Sequence, residues 1–259
     1  MDFGMPTLLE LPSLRENAAL CAQLGLRFVE INMNFPQYQP DVLDVKEILS
    51  LREAFQIYFT IHMEEAFSPC DFNAAVRKAY LDTALKVAKL AKTIEAPVVT
   101  LHLNKGIFIK LPTEKVFLYE RHEDHYKACV EAFAKLCERE AASSIFSVEN
   151  TGGFAPFETR AVERLFEYKC FGLTFDVGHS HAANGVDEPF YECHRGRLMH
   201  MHLHDAKGTS NHLALGDGEI DLNGRLALVK ECGCRVVLET KTVDALSRSV
   251  EYLKKSGAM

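Results

Sequence analysis

Eight short apolar runs, separated by segments with helical spacing, follow one another along the chain of 259 residues. Runs of this length that are rich in Val, Ile, Leu and Phe are typical of strands covered on both faces. Seven clear helical segments lie between them, and a weaker one covers residues 188–194. Strands that alternate with helices predict right-handed β–α–β crossovers and a parallel sheet. Acidic residues or histidines end seven of the runs: Glu30, His62, His102, Glu149, Asp176 with His179, His202 and Glu239.

The segment after the first predicted strand and the length of the chain distinguish the two α/β architectures that this alternation permits. An open, doubly wound sheet usually carries a glycine-rich phosphate-binding turn after its first strand. Residues 10–17, ELPSLREN, contain no glycine. A (β/α)8 barrel typically needs about 250 residues and builds its site from the carboxyl ends of its strands. We therefore predict a single α/β domain over residues 1–259, folded as a (β/α)8 TIM barrel.

Composition and charge argue against several classes of protein. No apolar run approaches the ~20 residues that cross a bilayer, and the N-terminal segment lacks the basic and apolar regions of a secretory signal. The net charge of −7 opposes the positive potential on which nucleic-acid binding depends. The eight cysteines have no regular spacing, which favours reduced thiols. We expect a cytoplasmic protein with a small-molecule partner and no membrane or nucleic-acid partner.

The polar strand ends predict a divalent metal site, because all strands of a barrel open onto one face. Three carboxylates and one imidazole from the last four strands suit Mn, Mg, Co or Zn. This predicted metal quartet consists of Glu149, Asp176, His202 and Glu239. A second metal cluster beside it could be formed by His62, His102, His179 and His212.

Other polar residues near the strand ends have both a structural and a functional interpretation. His200, His202 and His204 alternate along one strand, so they point to the same face at different depths. Only one of them needs to contact a metal, and the other two could support it or fill the barrel. Glu30 could form an ion pair with a loop or contact a substrate, and Lys207 could face a phosphate. We assign the substrate-binding role to Glu30, His62, His102 and Lys207.

Four segments resemble the xylose isomerase-like barrel superfamily, which includes sugar (phosphate) isomerases and epimerases and the endonuclease IV-type nucleases. The resemblance covers nearly the whole chain in its strand order, and HLHD…H…LGDGEID is its most specific part. It implies that the predicted metal quartet binds a metal, and it is compatible with a homo-oligomer. The segments are SIFSVENTGG, LTFDVGHSH, MHLHDAKGTSNHLALGDGEID and VVLETK.

The ketose epimerase branch of this superfamily implies that Glu149 and Glu239 are the catalytic residues. A metal that binds the carbonyl and hydroxyl oxygens of a sugar stabilises an enediolate, and a carboxylate within reach of the carbon-bound proton can remove it. Carboxylates on opposite faces of the substrate then allow epimerisation. The predicted function is therefore a metal-dependent isomerase or epimerase of a sugar or sugar phosphate.

The nuclease branch implies a different use of the same strand ends. Three zinc ions would be held there, with Glu149 bridging the first, at His62 and His102, to the second. The third would need an aspartate two residues before His212, where this chain has Ser210. An abasic-site phosphodiesterase is therefore an alternative, as are an inosose dehydratase-like lyase and a non-catalytic metal- or sugar-binding barrel.

Overall fold

Eight parallel strands close into one barrel in the computed structural model, which describes all 259 residues. Each strand pairs with the next along the chain, and the last pairs with the first. This topology confirms the (β/α)8 barrel predicted from the alternation of elements. The strands are β1 Phe3–Pro6, β2 Phe28–Asn32, β3 Tyr58–His62, β4 Val98–His102, β5 Ile145–Glu149, β6 Phe171–Asp176, β7 Leu198–Leu203 and β8 Arg235–Leu238.

Ten α-helices connect or follow the strands. They are α1 Leu14–Leu24, α2 Val45–Phe55, α3 Ala74–Ile94, α4 Leu118–Arg121, α5 Glu123–Glu140, α6 Pro156–Leu165, α7 Val177–Ala182, α8 Glu188–Cys193, α9 Leu222–Cys232 and α10 Val243–Ser256. Short 3-10 helices cover Pro36–Tyr38 and Arg195–Arg197. Two β-hairpins stand outside the barrel, and their strands are Phe108–Lys110 with Lys115–Phe117 and Asp205–Lys207 with Ser210–Leu213.

The ends of α1 illustrate how local sequence sets the boundaries of the helices. The Ser13 hydroxyl accepts a hydrogen bond from the Glu16 amide, and the Glu16 carboxylate accepts one from the Ser13 amide. This reciprocal capping box satisfies two amides that the helix leaves free and is worth about 1 kcal/mol. Gly25 ends the helix at φ 80°, a left-handed conformation that glycine adopts without a side-chain clash.

A layer of hydroxyl groups fills the inside of the barrel beneath the carboxyl ends of the strands. Thr100, Ser147 and Thr174 are fully buried. The Thr174 hydroxyl donates to Ser147 Oγ at 2.7 Å and lies 3.3 Å from Thr100 Oγ1. Because these groups hydrogen-bond one another, the interior can stay polar without leaving the hydroxyl groups unpaired.

All eight cysteines are free, and six of them are buried. The pattern agrees with the reduced thiols predicted from their irregular spacing. None of the helices combines the length and the apolar character that crossing a membrane would demand.

Glu158 in the first turn of α6 is a buried carboxyl group whose ionisation opposes folding. Its Oε2 accepts the Ala155 amide at 2.6 Å, while Oε1 is buried without a partner. Burial raises the pKa of Glu158 to about 7, against the effect of the Ala155 hydrogen bond and of Lys105. The unfolded chain therefore loses this proton at a lower pH than the folded protein, so stability falls as pH rises from about 4.5 to about 7.

Glu158→Gln should remove this pH-dependent cost while its amide oxygen still accepts the Ala155 hydrogen bond. We expect the variant to be more stable than the unmodified protein at pH 8 by up to about 3 kcal/mol, and to differ little from it at pH 4. Urea unfolding at both pH values measures the difference. A variant that is destabilised equally at the two pH values would contradict this account of Glu158.

Candidate metal centre

Four side chains at the carboxyl ends of β5 to β8 converge on one point. Strand pairing sets their height, because Asp176 is in register with His202, and His202 with Val237, two residues before Glu239. Nδ1 of His202 lies 3.2 Å from Glu149 Oε1, 3.2 Å from Glu239 Oε2 and 3.9 Å from Asp176 Oδ2. One donor atom from each residue lies within 4.8 Å of the other three. The structure therefore brings together all four members of the predicted metal quartet.

The arrangement of these donors fits a divalent cation. The side chains of Glu149 and Asp176 are at most 1% exposed and that of Glu239 is 12% exposed. Water therefore screens the repulsion between the three carboxylates very little. Glu239 Oε2 is buried and has no hydrogen-bond partner. Clustered buried carboxylates are costly without a positive charge between them. Three carboxylate oxygens and one imidazole nitrogen are a donor set that Mn, Mg, Co and Zn accept.

Two further histidines contact the same glutamate from its other side. Nε2 of His62 lies 3.0 Å and Nε2 of His102 lies 3.1 Å from Glu149 Oε2. Glu149 therefore presents Oε1 to His202 and Oε2 to the pair formed by His62 and His102.

The four histidines predicted as one second cluster are divided in the structure. His62 and His102 group with Glu149, whereas His212 groups with His204 and Glu239. The His204 and His212 ring centroids are 4.3 Å apart. This separation corrects the prediction of a single cluster, because the hairpin that carries His212 follows β7 and lies over the β6 and β7 side of the barrel mouth.

His179 occupies a third position, beside Glu149 Oε1. Its Nδ1 lies 3.5 Å from that oxygen and 3.0 Å from the Asn150 carbonyl oxygen. The residue lies in the first turn of α7, directly after β6, and its amide donates to Asp176 Oδ1 at 2.6 Å. His179 therefore borders the metal quartet without joining the His62 and His102 pair.

Both glutamates of the quartet favour the ionised form. Burial disfavours ionisation of Glu149, but the imidazoles of His202 and His102 hold the pKa of this carboxyl well below its usual range. Burial opposes ionisation of Glu239 in the same way, and His202 and Lys241 lower its pKa more strongly. Lys241 Nζ lies 2.8 Å from Glu239 Oε1. Two carboxylates that are ionised at neutral pH are able to accept a proton from a bound molecule.

Asn150 holds the end of β6 next to the end of β5, a role that the sequence did not reveal. Its side-chain amide donates to the Asp176 carbonyl oxygen, and its Oδ1 accepts the Asp176 amide, each at 2.9 Å. The Tyr191 hydroxyl also donates to Asn150 Oδ1. This clamp fixes the backbone of Asp176, a predicted metal ligand. Its position in the string ENTGG, directly after Glu149, was the available signal.

The glycine-containing motif LGDGEID forms a loop around a buried aspartate. Asp205 Oδ1 accepts the amides of Ala206 and Ile220, and Oδ2 accepts the amide of Gly216. A Cβ atom at Gly218 would lie 2.2 Å from Asp205 Oδ1, so no larger residue fits. The motif therefore shapes the loop after β7, and its aspartate contributes hydrogen bonds to backbone amides.

The remaining predicted substrate-binding residues lie at different depths. Glu30 is 2% exposed and lies inside the barrel, where its carboxylate contacts His200 and His202. This position argues against its assignment as a substrate contact, because only 2% of the residue is exposed. Lys207 is exposed on the hairpin after β7. The Gly208 amide and His181 lower the pKa of the nearby Glu219, and the charge of Lys207 adds to this effect.

A cavity of about 390 Å³ opens beside the metal quartet. No hydrophobic side chain lines it, and His102 and His179 connect it to the residues around Glu149. Its other lining residues are Glu65, Asn104, Lys105 and Thr151. A larger groove of about 520 Å³ lies between α5 and α6, but it contains none of the predicted site residues. The polar cavity at the barrel mouth is therefore the candidate binding site for a hydrophilic molecule.

The sequence is similar to an uncharacterized protein, MJ1311, of Methanocaldococcus jannaschii. The two are 24% identical over 264 residues, a match that covers 98% of this chain and 89% of that protein.

Three solved structures are similar to this chain over nearly their whole length. A D-tagatose 3-epimerase-like protein has a TM-score of 0.79 and 22% identity, covering 98% of this chain and 96% of its own. The D-psicose 3-epimerase of Clostridium cellulolyticum H10, solved with D-tagatose, has a TM-score of 0.78 and 14% identity, covering 99% and 98%. The IOLI protein, solved with a zinc atom, has a TM-score of 0.75 and 16% identity, covering 99% and 96%. At these identities the likeness establishes the fold alone.

Family membership follows from a separate comparison with the sequence. The model of the family described as xylose isomerase-like TIM barrel matches residues 18–256, which include every member of the metal quartet. The chain therefore belongs to the xylose isomerase-like TIM barrel family.

Proposed function

We propose that this protein is a divalent metal-dependent epimerase or isomerase of a ketose sugar, with Glu149 and Glu239 as its proton-transfer residues. One observation carries the proposal. The two carboxylates approach His202 Nδ1 from β5 and from β8, at 3.2 Å each, and both favour the ionised state. They therefore flank one point at the barrel mouth, beside a cavity lined only by polar side chains.

The two glutamates would act on opposite faces of the same carbon atom. When bound, the divalent cation acts as a Lewis acid and makes the proton next to a carbonyl group more acidic. One carboxylate would then accept this proton. The other, after taking up a proton from solvent, would deliver it to the opposite face, which inverts the configuration, and the first would release the abstracted proton to solvent. Lys241, at 2.8 Å from Glu239, stabilises the ionised form of that residue and prepares it to accept a proton.

The substrate we propose is a sugar without a phosphate group. Lys105, the one lysine that lines the mouth cavity, donates to the Gly153 carbonyl oxygen and lies 3.9 Å from the Glu158 carboxylate. Lys241 is engaged with Glu239, and the carboxylate of Glu65 also lines the cavity. A phosphate would meet little uncompensated positive charge there. The name of the D-psicose 3-epimerase, solved with D-tagatose, agrees with an unphosphorylated ketose.

His62 and His102 keep their proposed role in substrate binding. His102 lines the mouth cavity and is within reach of a sugar hydroxyl there. His62 is 7% exposed, so its main contact is Glu149. The cytoplasmic location and the homo-oligomer stay predictions.

A metal-dependent phosphodiesterase is the second candidate function, and one observation favours it. Glu149 presents separate oxygens to His202 and to the pair formed by His62 and His102, as a carboxylate that bridges two metal ions would. Ser210 is exposed on its hairpin and supplies no carboxylate for a third ion. The net charge of −7 also opposes the binding of a nucleic acid. We therefore place this function second.

Deuterium incorporation from heavy water tests the proposal directly. The protein is incubated with Mn²⁺ and a panel of ketoses and ketose phosphates, and carbon-bound deuterium is followed by NMR. We expect incorporation next to the carbonyl group of at least one unphosphorylated ketose, with formation of its epimer or isomer. No incorporation into any panel member, together with cleavage of a duplex that contains an abasic site, would establish the phosphodiesterase instead. Loss of water without an epimeric product would indicate a lyase.

A further inference from the structure

Glu30 is a buried carboxylate whose contacts all lie inside the barrel. It is in the middle of β2, in register with Thr60 of β3. Its Oε1 lies 3.0 Å from Nε2 of His202, and its Oε2 lies 3.0 Å from Nε2 of His200. The Thr60 hydroxyl donates to Oε2 at 3.2 Å. The carboxylate is therefore surrounded by groups that can donate hydrogen bonds, and it has little exposure to the cavity at the mouth.

The contact between Glu30 and His202 bears on which nitrogen of the His202 ring can bind a metal. A neutral imidazole carries one proton, and a carboxylate beside one nitrogen retains the proton there. Carboxylates lie beside both nitrogens: Glu30 Oε1 is 3.0 Å from Nε2, which has no hydrogen-bond partner, and Glu149 Oε1 is 3.2 Å from Nδ1. A cation among Glu149, Asp176 and Glu239 would take the lone pair of Nδ1, and the ring proton would then remain at Nε2, beside Glu30. The His202 ring therefore has Glu30 at its Nε2 side and the other members of the metal quartet at its Nδ1 side.

His200 is the second imidazole that contacts Glu30. It lies two residues before His202 on β7, so its ring occupies the next layer down and contacts the second oxygen of Glu30. The His200 and His202 ring centroids are 5.5 Å apart. Both imidazoles are fully buried. Glu30 therefore holds the two rings from one carboxylate, and neither ring can turn without losing that contact.

We infer that Glu30 is a positioning residue, which fixes the orientation and the tautomer of His202 so that Nδ1 is available to a divalent cation. Carboxylate partners of metal-binding histidines raise the basicity of the ring and restrict its rotation. The role deepens the proposed function and rests on its metal centre, but it does not depend on which sugar is the substrate. It also explains an acidic residue in the middle of β2 that has no place in the metal quartet.

Metal affinity of the Glu30→Gln variant tests the inference without any sugar. Removal of such a partner typically lowers metal affinity 10- to 100-fold. We expect a weakening of roughly this size for Mn²⁺, measured by competition with a chelator of known affinity. Glu158→Gln is the matched control, because it changes another buried glutamate outside the site, and its Mn²⁺ affinity should stay unchanged. Equal affinity in the Glu30→Gln variant and the unmodified protein would overturn the inference.

The tautomer of His202 provides a second readout that needs no variant. In the Zn²⁺-loaded protein, long-range nitrogen–proton NMR correlations should assign the ring proton to Nε2, and the metal-shifted nitrogen to Nδ1. Zinc bound through Nε2 would overturn the inference even if the Glu30→Gln variant fails to fold. If both readouts agree with the inference and no ketose exchanges deuterium, only the proposed sugar chemistry fails.

Discussion

Glu149→Gln and Glu239→Gln are each expected to lower the rate of deuterium incorporation into the ketose substrate by about 1000-fold. The reason is that an amide cannot accept the carbon-bound proton, and general acid–base catalysis of this kind contributes roughly 100- to 10,000-fold. Proton return from solvent should stop together with formation of the epimer. Measurement of both quantities at saturating metal separates a loss of proton transfer from a loss of metal affinity.

A control is needed because both residues are also predicted metal ligands. Glu47→Gln changes an exposed glutamate on α2 and should leave the exchange rate unchanged. The metal content of each variant is determined alongside its rate. Variants that retain the metal and lose exchange would support proton transfer by these carboxylates, whereas unchanged exchange in both would refute the assignment.

The fold was predictable because its signal is local and repeated. Apolar runs at strand spacing depend only on neighbouring residues, and the structure has the barrel strands where these runs predict them. Convergence of the metal quartet followed from the same regularity. In a parallel barrel, polar residues at the ends of consecutive strands must meet at one face.

The depth of a side chain inside the barrel and the course of a loop at its mouth could not be predicted in the same way. Glu30 and Glu149 both lie on barrel strands beside imidazoles, but strand pairing places Glu30 one layer deeper, next to His200. The separation of His212 from His62 depends on the hairpin after β7, whose course is set by hydrogen bonds to Asp205. Hydrogen bonds between residues distant in sequence leave no periodic pattern that could be recognised in advance.

Removal of the divalent metal is expected to have the second large effect. Chelation should abolish deuterium exchange and lower the thermal unfolding temperature, because it leaves the carboxylates of Glu149, Asp176 and Glu239 without a cation between them. A ligand at 100 times its dissociation constant stabilises a protein by about 2.7 kcal/mol, which for a chain of this size corresponds to roughly 5–10 °C. Addition of Mn²⁺, Mg²⁺, Co²⁺ or Zn²⁺ should restore both quantities.

Asp176→Asn is the variant that assigns this effect to the quartet. The side chain keeps its size and loses its charge, so added metal should no longer raise the unfolding temperature. The same metal-induced shift in the variant would place the ion elsewhere.

Elemental analysis of the purified protein tests the central claim most directly, since that claim is one cation held by Glu149, Asp176, His202 and Glu239. We predict one divalent ion per chain in the unmodified protein and almost none in Asp176→Asn. Two or three zinc ions per chain, or an equal metal content in the variant, would contradict this account of the site.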